Sequence, residues 1–277
     1  MTRLENFISQ FAGKTVSTAV YDLQTGDEIL IGADVTMHPA STMKVPVMME
    51  MFRQAEAGLL SLDERLTIFN SFKSIVDGSE FSLEEADDSD KILYARIGES
   101  ETIRKLNRLM IIRSSNLAAN LLMERVGTSR VDAFIKELGI ADMTVIRGLE
   151  DKKAYRLNMN NSASARSSTH MLRLIVEGKV VSKEACDEMI RVMLGQEFNE
   201  SIPALLPADV KVAHKTGWSS DFFHDIGIVF PPRRKPYVIS LFTQGFPEND
   251  ESQAHDCMAQ ISKMIYEGLT KEGLGFV

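Results

Sequence analysis

Ser41-Thr42-Met43-Lys44 sets a hydroxyl and an amine three residues apart, immediately ahead of the apolar run Val45-Pro46-Val47-Met48-Met49. If Ser41 opens the helix this run predicts, Lys44 lies one turn along the same face and its nitrogen reaches the serine oxygen. That pairing is a nucleophile with its base. A helix start also offers free backbone N–H groups that favour developing negative charge, and Pro46 is tolerated so close to a first turn. Alone the pattern carries little weight. S-x-x-K is expected about once by chance in a chain of this length, and a serine at a helix start is ordinarily a plain cap.

Two further motifs change that weight. Ser114-Ser115-Asn116 precedes the apolar stretch Leu117-Ala118-Ala119-Asn120-Leu121-Leu122, where a cap is again the bland alternative. Lys215-Thr216-Gly217 ends a β-rich run. A lone K-T-G is expected by chance in well under about one chain in ten of this size, which makes it the most specific of the three.

In this order the motifs match S-x-x-K, S-D-N and K-T-G, the signature of class A β-lactamases and penicillin-binding proteins. The local contexts, with Ala40 before Ser41 and His214 before Lys215, resemble class A β-lactamases as well, and so do the intervals of 73 and 101 residues between the motifs. The resemblance covers essentially the whole chain. It implies a serine hydrolase working through an acyl-enzyme, with β-lactam hydrolysis as the first expectation. A same-fold peptidase or esterase, or a receptor that is acylated without hydrolysis, is the alternative.

The resemblance assigns roles. Ser41 attacks a carbonyl with Lys44 as base, and the backbone N–H groups of Ser41 and Trp218 form the oxyanion hole. Ser114 relays a proton to the leaving nitrogen, with Lys44 and Lys215 setting its electrostatics. Asn116 donates to the substrate's side-chain amide, Thr216 shares the substrate carboxylate, and Gly217 fits a close approach of substrate backbone. Lys44 is a base only when neutral, which requires its pKa to fall from about 10.4 to about 7.4.

The acid-bearing loop and one strand residue depart from the family's pattern. Its Arg, any residue, Glu, then Asn four positions on becomes Arg147-Gly148-Leu149-Glu150-Asp151, one residue too long before the acid, with Ala154 where the Asn should stand. Glu150 remains the candidate for activating the deacylating water, with Asp151 as rival. The loop's closing Asp falls at Asn161, so its ion pair with Arg147 is expected to be lost. The Arg that usually holds the substrate carboxylate is replaced by His224, expected to share that task with Thr216 against the alternative of a structural histidine.

These residues need elements to hold them. Apolar residues at 4, 7, 8 and 11 predict a short amphipathic helix, and the β-rich runs 15–22 and 28–31 around Gln24-Thr25-Gly26-Asp27 predict a hairpin. Residues 47–57, 101–112, 117–126, 130–138, 169–177 and 182–194 carry helical periods, interrupted by irregular stretches at 81–90 and 147–168 of the kind that often carries function. Strand patterns return at 210–215, 223–230 and 237–244, and a last helix is expected over 252–269. The expected fold is α+β: a five-stranded antiparallel sheet flanked by terminal helices, with an inserted all-helical domain. Residues 1–44 and 199–277 would form the sheet domain and 45–198 the helical one, with the active site between them.

Composition excludes other classes. The chain has 277 residues, 44% hydrophobic and 25% charged, with net charge −8, so a phosphate-binding surface and nucleic-acid partners are not expected. The basic cluster Arg233-Arg234-Lys235 reads as a solvated hairpin tip. Cys186 and Cys257 read as small packed hydrophobes, and the scattered histidines hold no metal motif, so no cofactor is expected. No run is long and apolar enough to span a bilayer, and the first residues lack a secretory core. The expectation is an unexported monomer acting on a small molecule, or an exported one whose signal peptide has been removed.

Overall fold

A computed structural model describes residues 2–246 and 251–270. Helix α1 (Arg3–Ile8) starts in a capping box in which Thr2 and Glu5 satisfy each other's backbone amides. It leads into the predicted hairpin, β1 (Thr15–Asp22) and β2 (Glu28–Ile31), whose turn uses the positive φ of Gly26, +83°.

The following stretch is mainly helical, with α2 (Lys44–Glu56), α3 (Ile103–Ile112), α4 (Asn116–Val126), α5 (Thr128–Glu137), α6 (Lys152–Arg156), α7 (Ala165–Val176) and α8 (Lys183–Met193). It also carries two small ladders that no clear alternation announces: β3 (Arg65–Thr67) on β6 (Ser100–Thr102), and β4 (Phe72–Lys73) on β5 (Glu80–Phe81). The chain then returns to long strands β7 (Lys211–Ser219), β8 (Phe222–Phe230) and β9 (Tyr237–Gln244), and ends in α9 (Glu251–Thr270).

The long strands form one sheet in the order β2-β1-β9-β8-β7, antiparallel at every step. Alternation gives it two apolar faces. Val16, Val20, Ile239 and Leu241 pack under α1 and α9 with Leu4, Met258 and Ile261, whereas Ala19, Ile226, Ile228 and Phe242 join the helical core. Helices α2 and α4 are apolar on nearly every side because they lie inside that core: Val45, Val47, Met48, Met49 and Met51, with Leu117, Ala118, Ala119 and Leu122, are fully buried. Burial of each large side chain contributes roughly 1.5–3 kcal/mol, and this interior holds the site's helices rigid.

Cys186 and Cys257 are buried free thiols, and burial pushes Cys257 up to about 12. The basic cluster departs from expectation. Arg233 and Lys235 are exposed, but Arg234 is half-buried and pairs with Asp22 through two oxygens at 2.6 Å, tying the β8–β9 turn to the end of β1.

Candidate active site

Ser41 lies not in the first turn of α2 but on a 3-10 turn, Ala40–Met43, that feeds it. Side chains three apart eclipse each other in this tighter helix, so Ser41 and Lys44 stack more directly than α-helical spacing allows. Lys44 Nζ stands 2.9 Å from Ser41 Oγ. The turn begins strained: Ala40 has φ 46°, a left-handed conformation costing a non-glycine residue of the order of 1 kcal/mol. Ser114 (φ 57°) and Glu150 (φ 60°) are strained in the same way, and with Ser220 (φ 51°) on the wall of the adjoining cavity four of the seven such residues among those described sit at this site.

The second motif arrives on the N-terminus of α4. Ser115 is the helix cap, its hydroxyl accepting from Ala118 N at 3.3 Å, which leaves Ser114 and Asn116 to face Lys44. Lys44 Nζ is 2.6 Å from the Ser114 carbonyl, 3.3 Å from its hydroxyl and 2.8 Å from Asn116 Oδ1. The third motif comes from β7, where Lys215 Nζ donates to Ser114 Oγ at 3.0 Å and to the Thr216 carbonyl at 2.7 Å. Ser114 Oγ thus lies between two lysine nitrogens.

Gly217 explains why the strand can approach. A Cβ there would lie 2.9 Å from Ser41 N and 3.0 Å from Thr42 N, so the backbone that excludes a side chain is the turn carrying Ser41. The close approach expected of substrate backbone at Gly217 is made by this turn. Ser41 and Trp218 both line a cavity of about 600 Å³ shared with Asn116, Leu149, Glu150 and Arg147. Trp218 is 44% exposed and forms part of the cavity's wall.

Electrostatics follow from burial. Lys44 is fully buried, and desolvation brings it down to about 7, against the pull of the Asp88 and Glu150 carboxylates. Lys215 is also buried and held well below the ordinary lysine range by desolvation and by the neighbouring Lys44. A neutral amine at Lys44 can accept the Ser41 proton.

The loop carrying Glu150 is organised around an amide. Asn120 accepts from Leu149 N at 2.8 Å and donates to Leu149 O at 3.0 Å, and Gly148 leaves only 2.9 Å between a would-be Cβ and Asn120 Oδ1. The clamp therefore falls on Leu149, the third residue from Arg147, where the family pattern has its Glu. Glu150 reaches the site one residue later, through its positive φ. Its carboxylate accepts from Asn116 Nδ2 at 3.0 Å and from Glu84 N at 3.1 Å, and burial raises its pKa. The rival Asp151 is buried and committed to Ser74 Oγ, Ile75 N and Ala154 N.

Asn161 closes the loop's neck in neutral form. It accepts from Ile146 N at 2.8 Å and Arg147 N at 3.1 Å and donates to the Arg147 carbonyl at 3.0 Å. The Arg147 guanidinium bonds instead to the carbonyls of Met159 and Gly148 and to Asn160 Oδ1. No acid stands within ion-pair distance of it among the described residues, as the loss of the Asp implies.

His224 is not brought to the cavity. It is 2% exposed and stacked on Phe242, with Nε2 2.9 Å from the His38 carbonyl and Nδ1 2.8 Å from the Phe223 carbonyl and 3.2 Å from Thr243 N. Both ring nitrogens are taken by backbone, and burial lowers its pKa to about 4. It is placed as a structural histidine, the alternative weighed against a carboxylate-binding role. Asp88, by contrast, escaped the motif reading. Only its place in the irregular stretch 81–90 hinted at it, yet its carboxylate accepts from Asn116 N and Leu117 N.

The model of the beta-lactamase enzyme family matches residues 1–269 of this chain. Beta-lactamase BRO-1 of Moraxella catarrhalis is 28% identical over 173 residues, which is 60% of this chain and 55% of that protein. The extended-spectrum beta-lactamase PER-1 of Pseudomonas aeruginosa is 22% identical over 262 residues, covering 91% of this chain and 82% of that one. Among solved structures, that of PBP-A superposes with a TM-score of 0.83 at 24% identity, covering 96% of this chain and 94% of its own, and so shares the fold.

Proposed function

The chain belongs to the beta-lactamase enzyme family, and from that premise we propose that it is a serine hydrolase that opens β-lactam rings through an acyl-enzyme on Ser41. The observation that carries this reading is the 2.9 Å contact between Lys44 Nζ and Ser41 Oγ, made by a buried lysine whose pKa falls to about 7. Lys44 takes the Ser41 proton as Oγ bonds to the lactam carbonyl carbon, and the oxyanion is received by the N–H groups of Ser41 and Trp218, each worth roughly 2.7–4 kcal/mol. The C–N bond then breaks, and Ser114 passes its proton to the leaving nitrogen while drawing one from Lys44, under the field of Lys215.

Release needs water. Glu150, joined to Lys44 through Asn116, is the base proposed for it. One observation favours a second reading, in which acylation is efficient and release slow: Leu149 holds the clamped position and Glu150 enters by a strained detour. Asn116 would receive the substrate's side-chain amide. Thr216 is left without the help of His224 in holding the carboxylate.

A chromogenic cephalosporin tests both readings together with the mass of the protein. Sustained colour supports the hydrolase, and a single burst with a lasting adduct supports slow release. Neither colour nor adduct would refute acylation at Ser41.

A further inference from the structure

Resting on that reading of Lys44 as the acylation base, we propose that Asp88 is a positioning residue of the active site, a carboxylate delivered from a remote loop to the N-terminus of α4 in place of the acid missing from Ser114-Ser115-Asn116. The middle of the S-D-N signature is Ser115 here. Its hydroxyl satisfies only the third amide of the helix, that of Ala118.

Asp88 meets the first two. It lies 28 residues before Asn116, is 4% exposed, and accepts from Asn116 N at 3.0 Å with both oxygens and from Leu117 N at 2.9 Å. Asp90 N at 3.0 Å and the Tyr94 hydroxyl at 3.1 Å complete its donors. A helix N-terminus favours a carboxylate, and no Lys or Arg stands within 4 Å of this one among the described residues. Its negative charge is therefore held by backbone dipoles and not cancelled by a cation.

The residue it fixes is the hinge of the site. Asn116 accepts from Lys44 with one side-chain atom and donates to Glu150 with the other, and Ser114, two residues earlier, offers Lys44 its carbonyl. Anchoring the Asn116 amide thus fixes the spacing of Lys44, Ser114 and Glu150 together. The charge acts as well. Lys44 is faced by Asp88 and Glu150, which favour its ammonium form, and by Lys215, which opposes it; Asp88 is faced by Tyr94 and Glu150, with Asp87 and Glu85 nearby.

The experiment is the pH dependence of acylation by a fluorescent penicillin. Asp88→Asn keeps the shape and removes the charge, so the acid limb is expected to move to lower pH by about one unit, since a lone amine loses its proton more readily without a nearby carboxylate. Tyr94→Phe, which removes a donor but keeps the charge, leaves the limb in place. Asp88→Asn/Ser115→Asp returns a carboxylate to the same helix end and brings the limb back. A limb unmoved in Asp88→Asn, or moved as far by Tyr94→Phe, would overturn the proposal, because a purely structural anchor changes amplitude and not position. If Asp88→Asn fails to fold, the double variant decides: a parental limb supports the proposal and a displaced limb overturns it. A parent that is never acylated at Ser41 would instead remove the reading of Lys44 beneath it.

Discussion

Asn120 grips both backbone polar groups of Leu149, accepting from its N–H at 2.8 Å and donating to its carbonyl at 3.0 Å, and the residue after it, Glu150, enters the site at φ 60°. The loop keeps its clamp and displaces its acid. In the proposed reaction this relationship separates acylation from release.

Removal of the displaced acid is expected to slow release alone. In Glu150→Gln, pre-steady-state acylation should stay within about threefold of the parent, whereas deacylation should fall by about 10²–10⁴-fold, the usual worth of a general base. Stopped-flow burst analysis with a chromogenic cephalosporin reads both. Equal deacylation in the two proteins would show that Glu150 does not activate water.

The acylation rate should depend on pH through Lys44. Its pKa is lowered to about 7, so the neutral base is present above that pH and is protonated below it. The second-order acylation constant should fall by about tenfold per unit below pH 7. An acid limb near pH 4–5 would assign the base to a carboxylate instead.

Gly217→Ala places a methyl 2.9 Å from Ser41 N and 3.0 Å from Thr42 N, against backbone and not the end of a flexible side chain. Overpacking of this kind costs about 1–3 kcal/mol, and here it separates β7 from the nucleophile's turn. Acylation is expected to drop by about 100-fold or more with a lower Tm, and a variant acylating at the parental rate would contradict the packing account.

His224 should matter for stability and not for substrate. The unfolded chain binds a proton on this ring near pH 6.5 and the folded ring only near 4, so stability falls as pH drops from 6.5 towards 4 and is untouched above that interval. The loss reaches about 3 kcal/mol at its end. His38, lowered to about 4 by burial and Arg147, acts in the same direction. Denaturant melts of His224→Gln should show a shallower pH dependence with KM for a carboxylate-bearing β-lactam unchanged. A KM raised several-fold would return His224 to substrate binding.

Much of this was legible in the residues. The hairpin 15–22 and 28–31 and the strand 237–244 coincide with β1, β2 and β9, because each is a β-rich run bounded by turn residues, with β1 and β9 buried almost continuously on both faces. Ser41, Lys44, Ser114 and Lys215 come together because their motifs sit on rigid elements whose spacing the chain order already implies. What escaped depended on distance in sequence. The 3-10 turn under Ser41 packs against Gly217 of a distant strand, the seclusion of His224 arises from the carbonyl of His38 on another segment, and Asp88 belongs to no motif since its partners lie on α4. Arg234 looked solvated because Asp22 is 212 residues away.

The most direct test is rapid-quench mass spectrometry of the protein mixed with benzylpenicillin, followed by peptide mapping, beside Ser41→Ala. One covalent adduct on the peptide containing Ser41, formed in the parent and absent from the variant, is the predicted result. An adduct on another residue, or β-lactam opening that persists in Ser41→Ala, would contradict the assignment of Ser41 as the nucleophile.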